Sequence, residues 1–101
     1  MIDRLFDALS DPYRRRILVS LVDRDPRMEI SIEEVVDPED STDDDVLTAL
    51  YHVHLPKLDD YGFVEWDRET ESVRRGPVFD EVEPLVEELR NRVDDRHDER
   101  V

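Results

Sequence analysis

The chain has 101 residues, a net charge of −15 and 43% charged residues, against a hydrophobic fraction of 38%. That length supports one domain with a modest core, and so thin a core gains from a partner subunit. The absence of cysteine excludes disulfides, thiolate zinc sites and cysteine nucleophiles together.

The first element predicted is a short amphipathic helix over Asp3 to Ser10, with Leu5, Phe6 and Leu9 at helical spacing. Asp11 is a good N-cap and Pro12 fits the first helical position of a second helix, which buries Ile17, Leu18, Leu21 and Val22 and ends near Asp23. Arg24, Asp25 and Pro26 mark a loop. Arg14, Arg15 and Arg16 sit in the first turns, where the helix dipole disfavours cations. They read as a solvated ion-paired face, as a phosphate clamp, or for one arginine as a structural pair with the acidic body. The structural reading is preferred.

Ser31 and Glu34 form a capping box for a short helix, with Ile30 stapled onto Val35 and Asp37-Pro38 as the stop. After the acidic stretch Glu39 to Asp45, Thr42 is the expected N-cap of a central helix from about Val46 to Asp60, with Asp43 to Asp45 in its first turn. Leu47, Leu50, Tyr51, His54, Leu55 and Leu58 fall on one broad face, and Thr48, Ala49, His52 and Pro56 roughly opposite. Thr48 and Ala49 suit thymine methyls, and Thr48 or His52 can hydrogen-bond to bases or phosphates. Pro56 removes a bond to the His52 carbonyl and predicts a kink. His52 and His54 point about 200° apart on a helix, so no metal site is expected; His54 reads as half-buried and His52 as exposed.

Gly62 closes that helix in the left-handed conformation. Phe63 to Trp66 and Ser72 to Arg75 flank the polar turn Asp67 to Glu71 and predict a hairpin, with Val64 and Trp66 facing the helices. Arg68, Arg74 and Arg75 give this wing a basic character that suits phosphate contact, although the same residues are unremarkable in an average chain. In the last element Asp80 is the expected cap, with Glu83 at the third position and Pro84 in the first turn. Val82, Val86, Leu89 and Val93 form a coiled-coil-like seam, widened by Leu85. The seam either folds back on its own domain or pairs two subunits, and pairing is preferred. The tail Asp94 to Arg100 is polar and expected to fray.

The acidity opposes nucleic-acid binding when taken alone. It is spread along the whole chain, which favours a halophilic cytoplasm, and at about 1 M salt the Debye length of ~3 Å keeps distant carboxylates from vetoing a local contact. No apolar run approaches the ~20 residues that span a bilayer, and there is no signal-peptide pattern, so a cytoplasmic protein with no membrane partner is expected.

Ala8-Leu9-Ser10-Asp11-Pro12-Tyr13-Arg14-Arg15-Arg16-Ile17-Leu18 resembles the opening of ArsR-like winged-helix transcription regulators, A-L-x-D-P-x-R-R-x-I-L. His54-Leu55-Pro56-Lys57-Leu58, then Asp59-Asp60-Tyr61-Gly62-Phe63-Val64, resembles their recognition-helix end, H-L-x-x-L-x-x-x-G-L-V, and the combination Leu50-Tyr51-His52-Val53-His54-Leu55-Pro56-Lys57-Leu58 looks most like small haloarchaeal members. The resemblance implies a winged helix-turn-helix fold over residues 1–76, mainly α with a small β-hairpin wing, and a dimerising C-terminal helix over 77–101. Met28 to Ile30 is read as a brief strand on the same resemblance to winged helices, many of which pair such a strand with the wing. It implies a homodimer that binds double-stranded DNA, with Thr48, Ala49, His52 and Val53 facing the major groove. Arg68, Arg74 and Arg75 become wing contacts, alongside Arg15 as a phosphate contact. Val82, Leu85, Val86, Leu89 and Val93 become the dimer seam. The metal-sensing cysteines of the arsenic and cadmium sensors are absent, so that activity does not transfer, and no cofactor is expected. The alternative is a winged-helix module that binds protein and no longer DNA. An enzyme is not expected, since the carboxylates lie on predicted solvated faces and no nucleophile–base pair stands out.

Overall fold

The computed structural model describes the backbone of residues 2–25, 27–36 and 43–99, and the side chains of residues 3–25, 27–36 and 43–91. Helix α1 spans Ile2–Leu9 and α2 spans Pro12–Val22. Asp11 caps α2 by accepting from the Tyr13 amide at 3.3 Å, with proline at the start of the helix as its missing amide allows. Ile17, Leu18 and Leu21 enter the core and Val22 is only partly buried. In α1, Ala8 is buried and Leu5 and Leu9 pack against the core, but Phe6 is 67% exposed, so the apolar stripe is narrower than its spacing predicts.

A two-residue strand β1, Ile30–Ser31, leads into α3, Ile32–Val35. The expected capping box is present: the Glu33 amide donates to Ser31 Oγ, and the Ser31 amide donates to Glu34 Oε2. The expected stop at Asp37-Pro38 and the Thr42 cap lie outside the described residues. The cap observed on the central helix is Asp43, whose Oδ1 accepts from the amides of Asp45 and Val46. That helix runs as α4, Asp44–Ala49, a π-helical turn, Leu50–His54, and α5, Leu55–Asp60.

The π turn is where the proline kink was expected. Proline at 56 has no amide for the His52 carbonyl and its ring crowds that oxygen. The helix widens there instead, the Leu55 amide donating to the Leu50 carbonyl five residues back. Both leucines stay fully buried, while His52 and Val53 are left on the outside.

The helix ends in a Schellman motif, the Gly62 amide donating to Asp59 O at 2.9 Å and the Phe63 amide to Leu58 O at 3.1 Å, with Gly62 at φ 81°. Strands β2, Val64–Asp67, and β3, Ser72–Arg75, form the wing hairpin, and β1 pairs antiparallel with the outer side of β3 through Ile30–Val73 and Ser31–Ser72, giving the order β1-β3-β2. The chain then crosses back over the helix exit. Gly76 and Val78 donate to Phe63 O and Gly62 O, and a Cβ on Gly76 would stand 2.4 Å from Gly62 O. Only glycine fits so close a backbone approach.

Helix α6, Phe79–Glu99, begins one residue before the expected cap Asp80, so Pro84 lies inside the helix and not in its first turn. Phe79, Val82 and Val86 are buried in the domain's own core, where α6 packs on α2. The arrangement is a mainly helical winged helix-turn-helix with a small three-stranded sheet and an added C-terminal helix. Among the described residues no helix is long and apolar enough to cross a membrane.

Candidate functional site

The outer face of the central helix carries the residues predicted to read a ligand. Thr48, His52 and Val53 are exposed, Val53 by 47%, and Ala49 is half-buried between them. All four belong to one surface. Its N-terminal end is acidic, since Asp43, Asp44 and Asp45 are all exposed. The sequence places Leu50, Leu55 and Leu58 correctly on the buried face, with Tyr51 and His54 half-buried beside them.

The wing is less basic in space than in sequence. Arg68 lies over the Trp66 ring at 4.6 Å, a cation–π contact that holds its guanidinium beside the central helix. Arg74 is exposed and pairs across the hairpin with Glu65 at 2.7 Å, a bond that raises its pKa. Arg75 turns inward, which corrects its expected place among the phosphate contacts. It lies over Phe79, donates to the carbonyls of Leu21 and Arg24 at the end of α2, and pairs with Glu83 at 2.9 Å. Strand alternation carried the signal: Arg75 is two residues after the core residue Val73 and shares its face. The wing's outer surface therefore presents two arginines, at 68 and 74, among exposed Glu65, Asp67, Glu69 and Glu71.

Arg15 does not join this surface. Its guanidinium donates to Leu9 O at 2.7 Å, and it lines a groove between α2 and α6. The dimer seam also divides. Val82 and Val86 are covered by their own domain, which corrects their assignment to a subunit contact. Leu85 is 40% exposed, Leu89 is half-buried in the α2–α6 groove, and the side chain of Val93 lies outside the described residues.

Behind the outer face Arg14 makes the structural pairing expected of one arginine, within a polar network whose other members the sequence does not announce. Arg14, 6% exposed, donates from Nε and Nη2 to the Asp7 carbonyl at 3.2 and 2.8 Å, and from Nη2 to Ser10 Oγ at 3.0 Å. Its Nη1 lies 2.9 Å from His54 Nδ1, whose ring places Nε2 3.3 Å from Asp11 Oδ2. Since a guanidinium only donates, Nδ1 must accept, and the proton sits on Nε2 facing Asp11. Burial lowers the His54 pKa; Asp11 opposes that, while Arg14 and Lys57 add to it. The Asp7 carboxylate accepts from Tyr61 Oη at 2.6 Å and pairs with Lys57 at 2.9 Å. Those bonds lower the Asp7 pKa, and the same bond raises that of Tyr61. The network thus ties α1 and the start of α2 to the C-terminal half of the central helix.

Surface cavities among the described residues border the wing and the helices. One of about 490 Å³ lies between helix and wing, lined by Tyr51, His52, Pro56, Trp66, Arg68 and Glu71. Two more, of about 400 and 230 Å³, flank the wing and are rich in carboxylates, with Asp67 and Glu69 in one and Asp59 and Asp60 in the other. The fourth, of about 510 Å³, is the α2–α6 groove. Among the described residues no cluster of histidines and carboxylates could hold a metal ion.

No curated protein and no solved structure matches the chain. One family does, over residues 6–74, a stretch that runs from α1 into β3 and stops before α6. The chain belongs to this family, described as "Domain of unknown function (DUF7344)".

Proposed function

We propose that the chain is a DNA-binding transcription regulator of a haloarchaeal cytoplasm, related to the ArsR-like winged-helix proteins and working as a homodimer, with no catalytic role. The helix 44–60 lies in the major groove and the hairpin 64–75 is the wing. The observation that carries this reading is the single outer surface formed by Thr48, Ala49, His52 and Val53, flanked by Arg68 on its tryptophan platform. Small groups there suit thymine methyls and base edges. Two exposed wing arginines give a weak phosphate term, so binding rests on shape and base contacts, and counterion release counts for little in concentrated salt. Pairing of two copies runs through the exposed apolar side chains Phe6 and Leu85, because Val82 and Val86 are already buried.

The test is a titration in molar potassium chloride with the DNA upstream of the chain's own gene and with unrelated DNA. Preferential binding of the first, weakened by Thr48→Ala with His52→Ala, is the expected result. Arg68→Ala with Arg74→Ala weakens both DNAs alike. Equal or absent binding to both sinks the specific regulator. A winged-helix module that binds protein is the second reading, and the exposed carboxylates at Asp43 to Asp45 and along the wing favour it.

A further inference from the structure

The groove between α2 and α6 differs in charge from the other three cavities described above. Among the described residues, Arg15, Arg16 and Arg90 line it with one carboxylate, Asp23, over the apolar side chains of Pro12, Val19 and Leu89. In each of the two wing-flanking cavities carboxylates outnumber basic residues, and the helix–wing cavity sets Arg68 against Glu71. In a chain with 29 acidic and 14 basic residues, three arginines gathered round one apolar floor are a concentrated exception. Several arginines are held in place: Arg15 donates to Leu9 O, Arg16 donates to Val35 O and lies over the Tyr13 ring, and Arg90 bonds Asp23. Held cations lose less side-chain freedom when a ligand arrives.

We infer that this groove is a docking site for an acidic amphipathic segment of a partner protein. The segment's apolar side chains seat on Pro12, Val19 and Leu89, and its carboxylates meet Arg15, Arg16 and Arg90. Its volume of about 510 Å³ accommodates side-chain anchors of the helix-in-groove kind. A nucleic-acid backbone would satisfy the arginines but has no apolar group for the floor. A second copy fits less well, because in a two-fold pair the same patch meets itself and would set arginines against arginines. None of the residues predicted to read DNA, apart from Arg15, lines the groove, so docking here and DNA binding can be measured separately.

The experiment uses the full chain in molar potassium chloride, where a Debye length of ~3 Å leaves only contact pairs effective. A fluorescein-labelled peptide with leucines at i, i+3, i+4 and i+7 and aspartates elsewhere is titrated by anisotropy, beside versions with asparagine or lysine in place of aspartate. Saturable binding of the aspartate peptide, with the lysine version at least about tenfold weaker, is expected. Leu89→Ser and Arg90→Ser, measured separately, each weaken it about tenfold while cooperative urea unfolding followed by Trp66 emission shows both variants folded under the binding conditions. Equal binding of the three peptides, no saturable binding, or binding unmoved by both variants overturns the assignment. So does loss of a homodimer in light scattering on Leu89→Ser, which would make the occupant a second copy. Loss of random-sequence DNA binding on Arg90→Ser would make it nucleic acid and overturn the assignment as well.

Discussion

Replacing Arg14 with methionine keeps most of the side chain's volume and removes every donor it supplies. The structure gives the cost. The Asp7 carbonyl loses two donors, at 3.2 and 2.8 Å, and His54 Nδ1 loses the guanidinium at 2.9 Å. The Asp7 carbonyl keeps the Ser10 amide at 3.2 Å and Ser10 Oγ at 2.8 Å, so His54 Nδ1 is the acceptor left unpaired, at a cost of ~1–3 kcal/mol, or about 2 kcal/mol. The ion pair with the Asp7 carboxylate adds little, being 3.8 Å long with a partner side chain that is 35% exposed. At the usual ~4–8 °C per kcal/mol for a domain of this size, Tm falls by roughly 8–16 °C. Urea unfolding followed by Trp66, the one tryptophan in the chain, measures the loss in molar potassium chloride. Arg15→Met is the control: its one described bond, to Leu9 O, predicts about 1 kcal/mol. A loss at Arg14 below ~0.5 kcal/mol, the scale of surface changes, refutes the network as a structural tie, as does an Arg15 variant that costs as much as Arg14.

The folded chain favours neutral His54, so its contribution is complete above the ordinary value of 6.5 and is lost as pH falls from there through the lowered pKa. Unfolding measured between pH 7 and 5 shows that decline, with a slope of at most ~1.4 kcal/mol per pH unit, and His54→Gln flattens it. The contribution of Asp7 is present above 3.8 and goes as pH falls through its lowered pKa, while that of Tyr61 is present below 10.0 and goes as pH rises; Tyr61→Phe reduces the alkaline decline and leaves the share of Tyr51, whose pKa burial also raises. Gly76→Ala drives a Cβ against Gly62 O and Val64 N, both backbone atoms, and costs about 2 kcal/mol or more in a urea midpoint. Glu71 holds φ at 53°, so Glu71→Gly relieves left-handed strain and raises stability by about 0.5–1 kcal/mol in the same assay.

What was legible in the sequence was local. The Asp11-Pro12 cap, the Ser31–Glu34 box and the Gly62 terminus each depend on a few neighbouring residues, and each forms as its spacing predicts. Errors arise where distant chain decides. Ser41 to Asp45 is a run of competent caps, and nothing local selects Asp43 from among them. Asp80 and Glu83 look like the start of α6, but the crossing of Gly76 over the exit from α5 sets the start at Phe79 and leaves Pro84 within the helix. An irregularity at Pro56 was legible. That it becomes a π turn follows from burying Leu50 and Leu55 together, which is a demand of the core. Of the seam on α6, Val82 and Val86 are buried in their own domain, where the helix packs on α2 of the same chain, and Leu85 stays exposed.

The two motifs that carry the winged-helix resemblance meet in three dimensions. Asp11 and Arg14 come from the first and His54 from the second, and they contact one another directly. The other fixed positions have structural roles as well. Ala8, Ile17, Leu18, Leu55, Leu58, Phe63 and Val64 are buried, Arg15 bonds the Leu9 carbonyl, Pro12 opens α2, and Gly62 closes the central helix. Thr48, Ala49, His52 and Val53 are absent from both motifs. The shared residues therefore fix how the central helix is held against the body and leave open what its outer face touches. Two chains can share both motifs in full and yet read different DNA, or none. The network sets how the central helix is held, and on the proposed reading the ligand is chosen by Thr48, Ala49, His52 and Val53 on the other side of that helix.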